Sequence, residues 1–269
     1  MSKLSDFKAL LFDVDGTLTN SQSYVSERTK QALKNLALKG ISIGVCTGRN
    51  LSVLQKIFLL FPSESLHVVA GGGQVVSSTN EVMWEKLISG TTVQAIIEKA
   101  KIFDAAFLVN KSDVAYVNQK MRTYLKKKHN LGTLKLRPIE ELTDFACPII
   151  PAFDIKDEFL NYLTNRDDIT FKLVTNNQFH TSNTDITAHH VTKAFGLKEF
   201  CRLQNIQLSE VIGVGDSEND DEFLETVGFS VAMGNATPYL KSIAKRTVGH
   251  TDEDGLAVYL EGLLKGAEL

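Results

Sequence analysis

The stretch Lys8-Ala9-Leu10-Leu11-Phe12-Asp13-Val14-Asp15-Gly16-Thr17-Leu18-Thr19 decides how the rest of the chain is read. Ala9 to Phe12 is an unbroken apolar run with no alternation, the pattern of a strand covered on both faces as in a parallel sheet. It stops abruptly at two acids and a glycine. In open α/β sheets ligands bind outside the carboxyl ends of the strands, so a buried strand ending in carboxylates is also the first candidate for a site.

Downstream, Ser26 can cap a helix whose apolar positions Ala32, Leu33, Leu36 and Ala37 recur at helical spacing until Gly40. A second buried strand, Ile41 to Cys46, runs into Thr47-Gly48-Arg49, and Val53, Leu54, Ile57 and Phe58 predict a further helix before Pro62. His67 to Ala70 is a third short strand, and after Gly71-Gly72-Gly73 a hairpin is expected around Thr79-Asn80. This alternation is the rhythm of a parallel α/β sheet. From about residue 91 to about 183 the texture changes to helix-like segments mixed with short β-like ones, which reads as an α+β insert. The buried pattern returns at Val211 to Gly215, again ending in acid at Asp216, and at Phe229 to Ala232. Two closing helices are expected, one after Thr237-Pro238 and one over Leu256 to Leu264. Both ends of the chain therefore build one sheet, residues 1–90 and 184–269, around an insert at 91–183.

Composition agrees with a folded globular protein: 43% of the 269 residues are apolar and 23% charged. A balance of 29 Lys+Arg against 32 Asp+Glu leaves no basic field to gather nucleic acid or an anionic membrane, so neither is expected as a partner. Three widely spaced cysteines fit neither a disulfide framework nor a zinc pattern, and the N-terminal apolar run is too interrupted for an export signal. A cytoplasmic monomer or homodimer is the expectation.

Three strand ends carry polar groups: Asp13 and Asp15, then Thr47, then Asp216 and Asp220. Carboxylates crowded in one crevice repel one another unless a cation neutralises them, and hard oxygen donors of this kind suit Mg²⁺. Mg²⁺ usually shares its ligands with a substrate phosphate, so a small phosphorylated metabolite is the expected guest. Asp13 can attack phosphorus, Asp15 can act as general acid and base, and Thr47 with the amides of Gly48 and Arg49, at an expected helix start, can hold the phosphoryl group. Lys193, opening the helix before the Val211 strand, completes the charge balance. The Lys126-Lys127-Lys128-His129 run reads as a solvated helix face, or as a patch that attracts an anionic substrate.

These residues bring a family resemblance with them. Phe12-Asp13-Val14-Asp15-Gly16-Thr17-Leu18-Thr19 resembles the first motif of the haloacid dehalogenase-like superfamily, Val45-Cys46-Thr47-Gly48-Arg49 its second, Lys193 its third, and Gly215-Asp216-Ser217-Glu218-Asn219-Asp220 its fourth. Val231-Ala232-Met233-Gly234-Asn235-Ala236 and Asp252-Glu253-Asp254-Gly255 are similar to the tail of the Cof-type subgroup. The chain departs from the pattern at Gly71-Gly72-Gly73, where the family usually has Asn-Gly, and at Ala194, where a glycine usually follows the lysine. The resemblance implies a Rossmann-like core with an α+β cap, and an Mg²⁺-dependent phosphatase working through an aspartyl-phosphate. It makes Asp13 nucleophile and metal ligand, Asp15 the acid/base that lends its carbonyl to the metal, and Asp216 a further ligand. Thr47, Gly48, Lys193 and Asn219 would hold phosphate or substrate, with Asp220 behind them. A sugar phosphate is the leading substrate, and a phosphomutase or a phosphosugar-binding regulator the alternative.

Overall fold

The computed structural model describes residues 3–111, 114–127, 135–176 and 181–268. Among them, five strands lie parallel in one sheet, β1 (Ala9–Phe12), β2 (Ser42–Val45), β12 (Val211–Gly215), β13 (Phe229–Ala232) and β14 (Arg246–Thr247). Their order is β14-β13-β12-β1-β2, so the strand with the acid-ended apolar run is flanked by the two others that end in candidate residues. The register is level: Phe12 stands beside Val45 on one side and Val214 on the other. All four residues of β1 are fully buried, which is why the run needs no polar face.

Helices close both faces of the sheet. On one, α1 (Glu27–Leu38) starts at Ser26, whose hydroxyl accepts the Thr29 N–H at 3.2 Å, and buries Ala32, Leu33 and Leu36 in one cluster with Leu256, Leu260 and Leu263 of α9 (Gly255–Leu264). Arg28 ties these helices from outside through a two-point bond to Glu261, 3.0 and 2.9 Å. On the other face, α6 (Lys193–Gln204) and α7 (Asp221–Thr226) bury Leu197, Phe200, Phe223 and Leu224 against Leu11 and Val211. The short α8 (Pro238–Ile243) adds Leu240, and its Thr237 caps the Leu240 N–H with proline in the first turn, as the Thr-Pro pair predicts.

Beyond β2 the parallel sheet continues through one Cys46–Val68 bridge into a three-stranded antiparallel sheet of β3 (Leu66–Val69), β4 (Gln74–Ser77) and β5 (Val82–Glu85). The expected hairpin is there, with Asn80 left-handed at φ 69°. The second layer is a six-stranded sheet in the order β10-β11-β9-β6-β7-β8. Its strands are β6 (Ala106–Lys111), β7 (Val114–Val117), β8 (Lys135–Pro138), β9 (Ile149–Phe153), β10 (Ile169–Asn176) and β11 (Thr181–Ala188). Pairing is antiparallel except between β7 and β8. Helices α3 (Gly90–Ile102), α4 (Gln119–Lys127) and α5 (Asp157–Thr164) accompany it, and Ile96, Phe107, Ile150, Phe159, Leu163 and Ile186 form a core of its own. Lys126 on α4 is exposed, while Lys128 and His129 lie outside the described residues.

One element differs from expectation. The helix foreseen through Val53 to Phe58 is a 3-10 turn, Leu51–Val53, followed by the single turn α2 (Gln55–Phe58). Pro62 disfavours helical backbone in the residue before it, and Leu54, Phe58 and Phe61 reach the core from one turn without a longer helix. Phe58 stacks on His67, with ring centroids 4.2 Å apart.

His67 is fully buried on β3. Its Nδ1 accepts the Val45 N–H at 3.2 Å, which leaves Nε2–H to donate to the Ser78 hydroxyl at 2.8 Å. Burial pushes its pKa down from 6.5 to about 3. The unfolded chain therefore takes up a proton below pH 6.5 while the native ring stays neutral, so stability is complete above 6.5 and falls as the pH drops towards 3. Urea unfolding between pH 7.5 and 5 should show wild type losing up to about 1.4 kcal/mol per pH unit relative to His67→Phe. Parallel curves for the two proteins would mean that His67 titrates normally in the fold.

Candidate active site

Because β12, β1 and β2 are neighbours in level register, the residues just past their ends arrive together. Asp13, Thr47 and Asp216 all sit at that edge, Asp13 and Thr47 buried and Asp216 partly buried. Behind Asp13 the chain doubles back tightly: Leu18 N–H bonds the Asp13 carbonyl, and Thr19 N–H and hydroxyl both bond Val14 O. Gly16 makes this possible. Its φ is +75°, and a Cβ there would stand 2.3 Å from Asp216 Oδ2.

Lys193 is the first residue of α6, whose N-cap is Thr192, and it is buried. Its ammonium donates to Asp13 Oδ1 at 2.7 Å, Asp220 Oδ1 at 2.7 Å and Asn219 Oδ1 at 3.0 Å, so all three of its protons are used. Burial alone would lower its pKa, but the Asp13 and Asp220 carboxylates more than offset that and hold it above the ordinary lysine value. Asp13 itself is pushed up to about 7 by burial, with Lys193 opposing and Asp220 and Asp15 adding to the rise. Asp216 is raised to about 8 by burial and then by Asp13 and Asp220.

Asp13, Asp216 and Asp220 each offer an oxygen within 4.8 Å of the others. The three are not equivalent. Both oxygens of Asp220 are taken, Oδ1 by Lys193 and Oδ2 by the Asp216 and Ser217 amides at 3.0 and 3.1 Å. Asp13 Oδ2 carries no such bond from the described residues. Among the described residues Asp216 accepts only from Thr17 at 3.2 Å and Asn235 at 3.1 Å, leaving lone pairs on both oxygens. Two carboxylates raised to neutral pH, converging with oxygens to spare, are the donor set a divalent cation fits.

Asp15 lies apart from this cluster. Its side chain is 60% exposed at the mouth, held by Arg49 in a two-point fork of 2.7 and 2.5 Å. Thr47 accepts the Arg49 N–H at 3.1 Å, and the helix expected to open there begins only at Gln55, so Gly48 and Arg49 present a loop and not a helix start. The reason is local: the Thr47 side chain satisfies that amide within a turn, and Pro62 leaves room downstream for one helical turn.

Three further residues were not singled out as site residues from sequence. Arg49 entered only through its amide. Asn235 donates to both Gly16 O at 2.8 Å and Asp216 Oδ2, and its carbonyl takes the Thr251 N–H, so it sets the position of Asp216. Asp185 comes from β11 of the second sheet and stands over Gly48, and burial pushes it up to about 6. The Met-Gly-Asn-Ala string contained the signal for Asn235. The alternation of Asn183, Asp185 and Thr187 with Ile186 and Ala188 contained the signal for Asp185.

Residues 10–260 match the haloacid dehalogenase-like hydrolases. The chain belongs to that family. Phosphatase YwpJ of Bacillus subtilis is 27% identical to this hydrolase over 289 residues, covering 96% of this chain and 100% of its own. 5-amino-6-(5-phospho-D-ribitylamino)uracil phosphatase YbjI of Escherichia coli is 27% identical over 273 residues, covering 96% of each. Among solved structures, the phosphatase BT1666 of Bacteroides thetaiotaomicron superposes with a TM-score of 0.80 at 25% identity, over 96% of this chain and 95% of that one. The hydrolase is a Cof-type phosphatase, with the Rossmann-like core and separate cap sheet of that group. Among its described residues no helix is long and apolar enough to cross a membrane.

In the metal-free hydrolase, raised carboxyl pKa values mean that the native state binds more protons than the unfolded chain between about pH 4 and 8, so this cluster costs stability as the pH rises through that range. A bound divalent cation removes that cost. Mg²⁺ should therefore raise the melting temperature by a few degrees at pH 8 and by less at pH 6, where protons compete. The increment should vanish in Asp216→Asn. An equal increment in wild type and variant would place the ion elsewhere.

Proposed function

We propose that the hydrolase is an Mg²⁺-dependent phosphatase that cleaves a small phosphorylated metabolite, a sugar or polyol phosphate, through a phosphoryl group carried on Asp13. The observation that carries this reading is the Lys193 ammonium fixed on Asp13 Oδ1, with Oδ2 of the same carboxylate left open beside Asp216. A phosphatase named for a phospho-ribitylamino substrate among the relatives agrees with a polyol ester. The ion, held by Asp13, Asp216 and the Asp15 carbonyl, would offset charge on the phosphoryl oxygens.

The chain's own groups then do the following. Thr47 and the Gly48 amide receive the phosphoryl oxygens, and Lys193 keeps Asp13 ionised and aligned. Asp13 Oδ2 attacks phosphorus as the bond to the ester oxygen breaks. The leaving oxygen emerges at the mouth, where Asp15, released from the Arg49 fork and carrying a proton, gives it that proton. Water then attacks the same phosphorus with Asp15 taking its proton, which releases inorganic phosphate and restores Asp13. Asp220, bonded to Lys193 and to two backbone amides, maintains the position of the lysine. The second sheet acts as a cap that excludes water and touches the leaving group.

Phosphate release from 4-nitrophenyl phosphate and a panel of sugar phosphates, with Mg²⁺ or with chelator, tests this directly. Wild type should turn over only with the metal. Asp13→Asn should lower turnover at least about a thousandfold while its melting temperature holds or rises, because one crowded carboxylate is gone. Substantial turnover in that variant would overturn the phospho-aspartate route.

A further inference from the structure

Strand β9 divides its apolar residues between two interiors. Ile150 and Ala152 belong to the apolar cluster of the second sheet, whereas Ile149, on the opposite face of the strand, belongs to that of the parallel sheet with Val69, Ala70 and Val76. It is fully buried there. Both crossings between the layers are tied to its surroundings. Ile88 of the first crossing donates its N–H to the Cys147 carbonyl at 2.8 Å, two residues before Ile149. Thr187, paired with Ile149 in the β9–β11 register, donates its hydroxyl to the Val191 carbonyl of the second crossing at 2.7 Å. Ile149 therefore stands at the pivot between the layers.

Its seat is the turn between β3 and β4. Ala70, Gly71 and Gly72 are all left-handed there, at φ 53°, 64° and 98°. A Cβ on Gly71 would lie 3.1 Å from Thr187 Cγ2 and 3.4 Å from Ile149 Cδ1, and one on Gly72 would lie 1.9 Å from the Thr192 carbonyl at the end of the second crossing. Two bare residues let the second sheet rest directly on core backbone. The same turn carries the phosphoryl-binding loop: Gly71 N–H bonds the Thr47 carbonyl at 3.1 Å, and Ala70 N–H bonds the Arg49 carbonyl at 2.8 Å. The docking of the second sheet and the position of Thr47 are thus linked through one turn. Close-packed interiors do not deform smoothly, so Ile149 is either in its seat or out of it.

We propose that Ile149 is a positioning residue: seated in the core, it sets how closely the second sheet approaches the phosphoryl-binding loop and, through the 70–73 turn, where Thr47 stands. Its part in the reaction rests on the phosphatase reading of the site, and its part in docking the two layers does not.

The test uses the full chain as wild type, Ile149→Ala, Ile149→Val and a control of similar cavity size, Leu163→Ala, within the second sheet's own cluster. Hydrogen exchange of the amides in segments 70–73 and 86–88 should be at least about tenfold faster in Ile149→Ala than in wild type. Leu163→Ala should loosen its own helix and leave those amides within about twofold of wild type. Ile149→Val loses only the Cδ1 carbon that faces Gly71, so it should show the same pattern at smaller size, and it decides the matter if the alanine variant does not fold. With Mg²⁺ and the ester of the panel that wild type hydrolyses fastest, KM should rise at least about fivefold in Ile149→Ala, with kcat moving less, and should hold in Leu163→Ala. Unchanged exchange in the Ile149 variants, or equal loosening of these amides in Leu163→Ala, would overturn the seat. Faster exchange with kcat and KM unmoved would overturn the link to the phosphoryl-binding loop. Wild type releasing phosphate from no ester would overturn the phosphatase reading, and the exchange rates would still decide whether Ile149 docks the layers.

Discussion

The Lys193 ammonium joins three parts of the molecule at one point. Asp13 follows β1, Asn219 and Asp220 follow β12, and Lys193 starts the helix that leads back from the second sheet. Three bonds from one buried cation therefore fix the relative positions of the strand ends and of the chain's return into the core. The cation stands at a helix N-terminus, where the backbone dipole disfavours it, and it is buried. The two carboxylates that it bridges offset both costs. Neither arrangement is stable without the other, because removing the ammonium strands two acids and removing the acids strands the ammonium.

Charge at this edge also explains the chemistry it favours. Asp13, Asp216 and Asp220, when ionised, carry three negative charges against one on Lys193. The remainder of two is what a divalent cation supplies. Without it, protons take its place: burial first, and the neighbouring acids after it, raise Asp13 and Asp216 to about 7 and 8. Asp220 can stay out of the metal's reach because lysine and two amides already saturate its oxygens.

The core was legible in the sequence because its signals are local and repeat. Unbroken apolar runs ending at Asp13, Thr47 and Asp216 mark three strands of one parallel sheet, and a ligand edge follows from where those runs stop. The order β12-β1-β2 that makes them neighbours is not local, and only the fold shows it. The Arg49 fork on Asp15 was illegible for the same reason: it joins two loops after different strands, at a place where a helix start was expected and Thr47 forms a turn instead. Phe58 and Leu54 do have helical spacing, yet Pro62 limits that spacing to one turn. Spacing describes which residues are buried, and it does not by itself set the length of the element that buries them.

Asp185 shows why the second sheet is harder to read than the first. Each layer has an apolar core, and the two touch where Ile149 of β9 joins the cluster of the parallel sheet and Phe195 of α6 packs against that of the second sheet. Beside those contacts the layers meet through polar groups: Lys172 with Asp221, Lys86 with the His189 carbonyl, and Asp185 over Gly48. Partly exposed ion pairs contribute little, on the order of 1 kcal/mol or less each. Contacts of this polar kind add little to holding the cap on the core. The same weakness lets a guest that brings its own hydrogen-bond donors shift the balance towards closure, so that recognition by the second sheet and assembly of the site become one event.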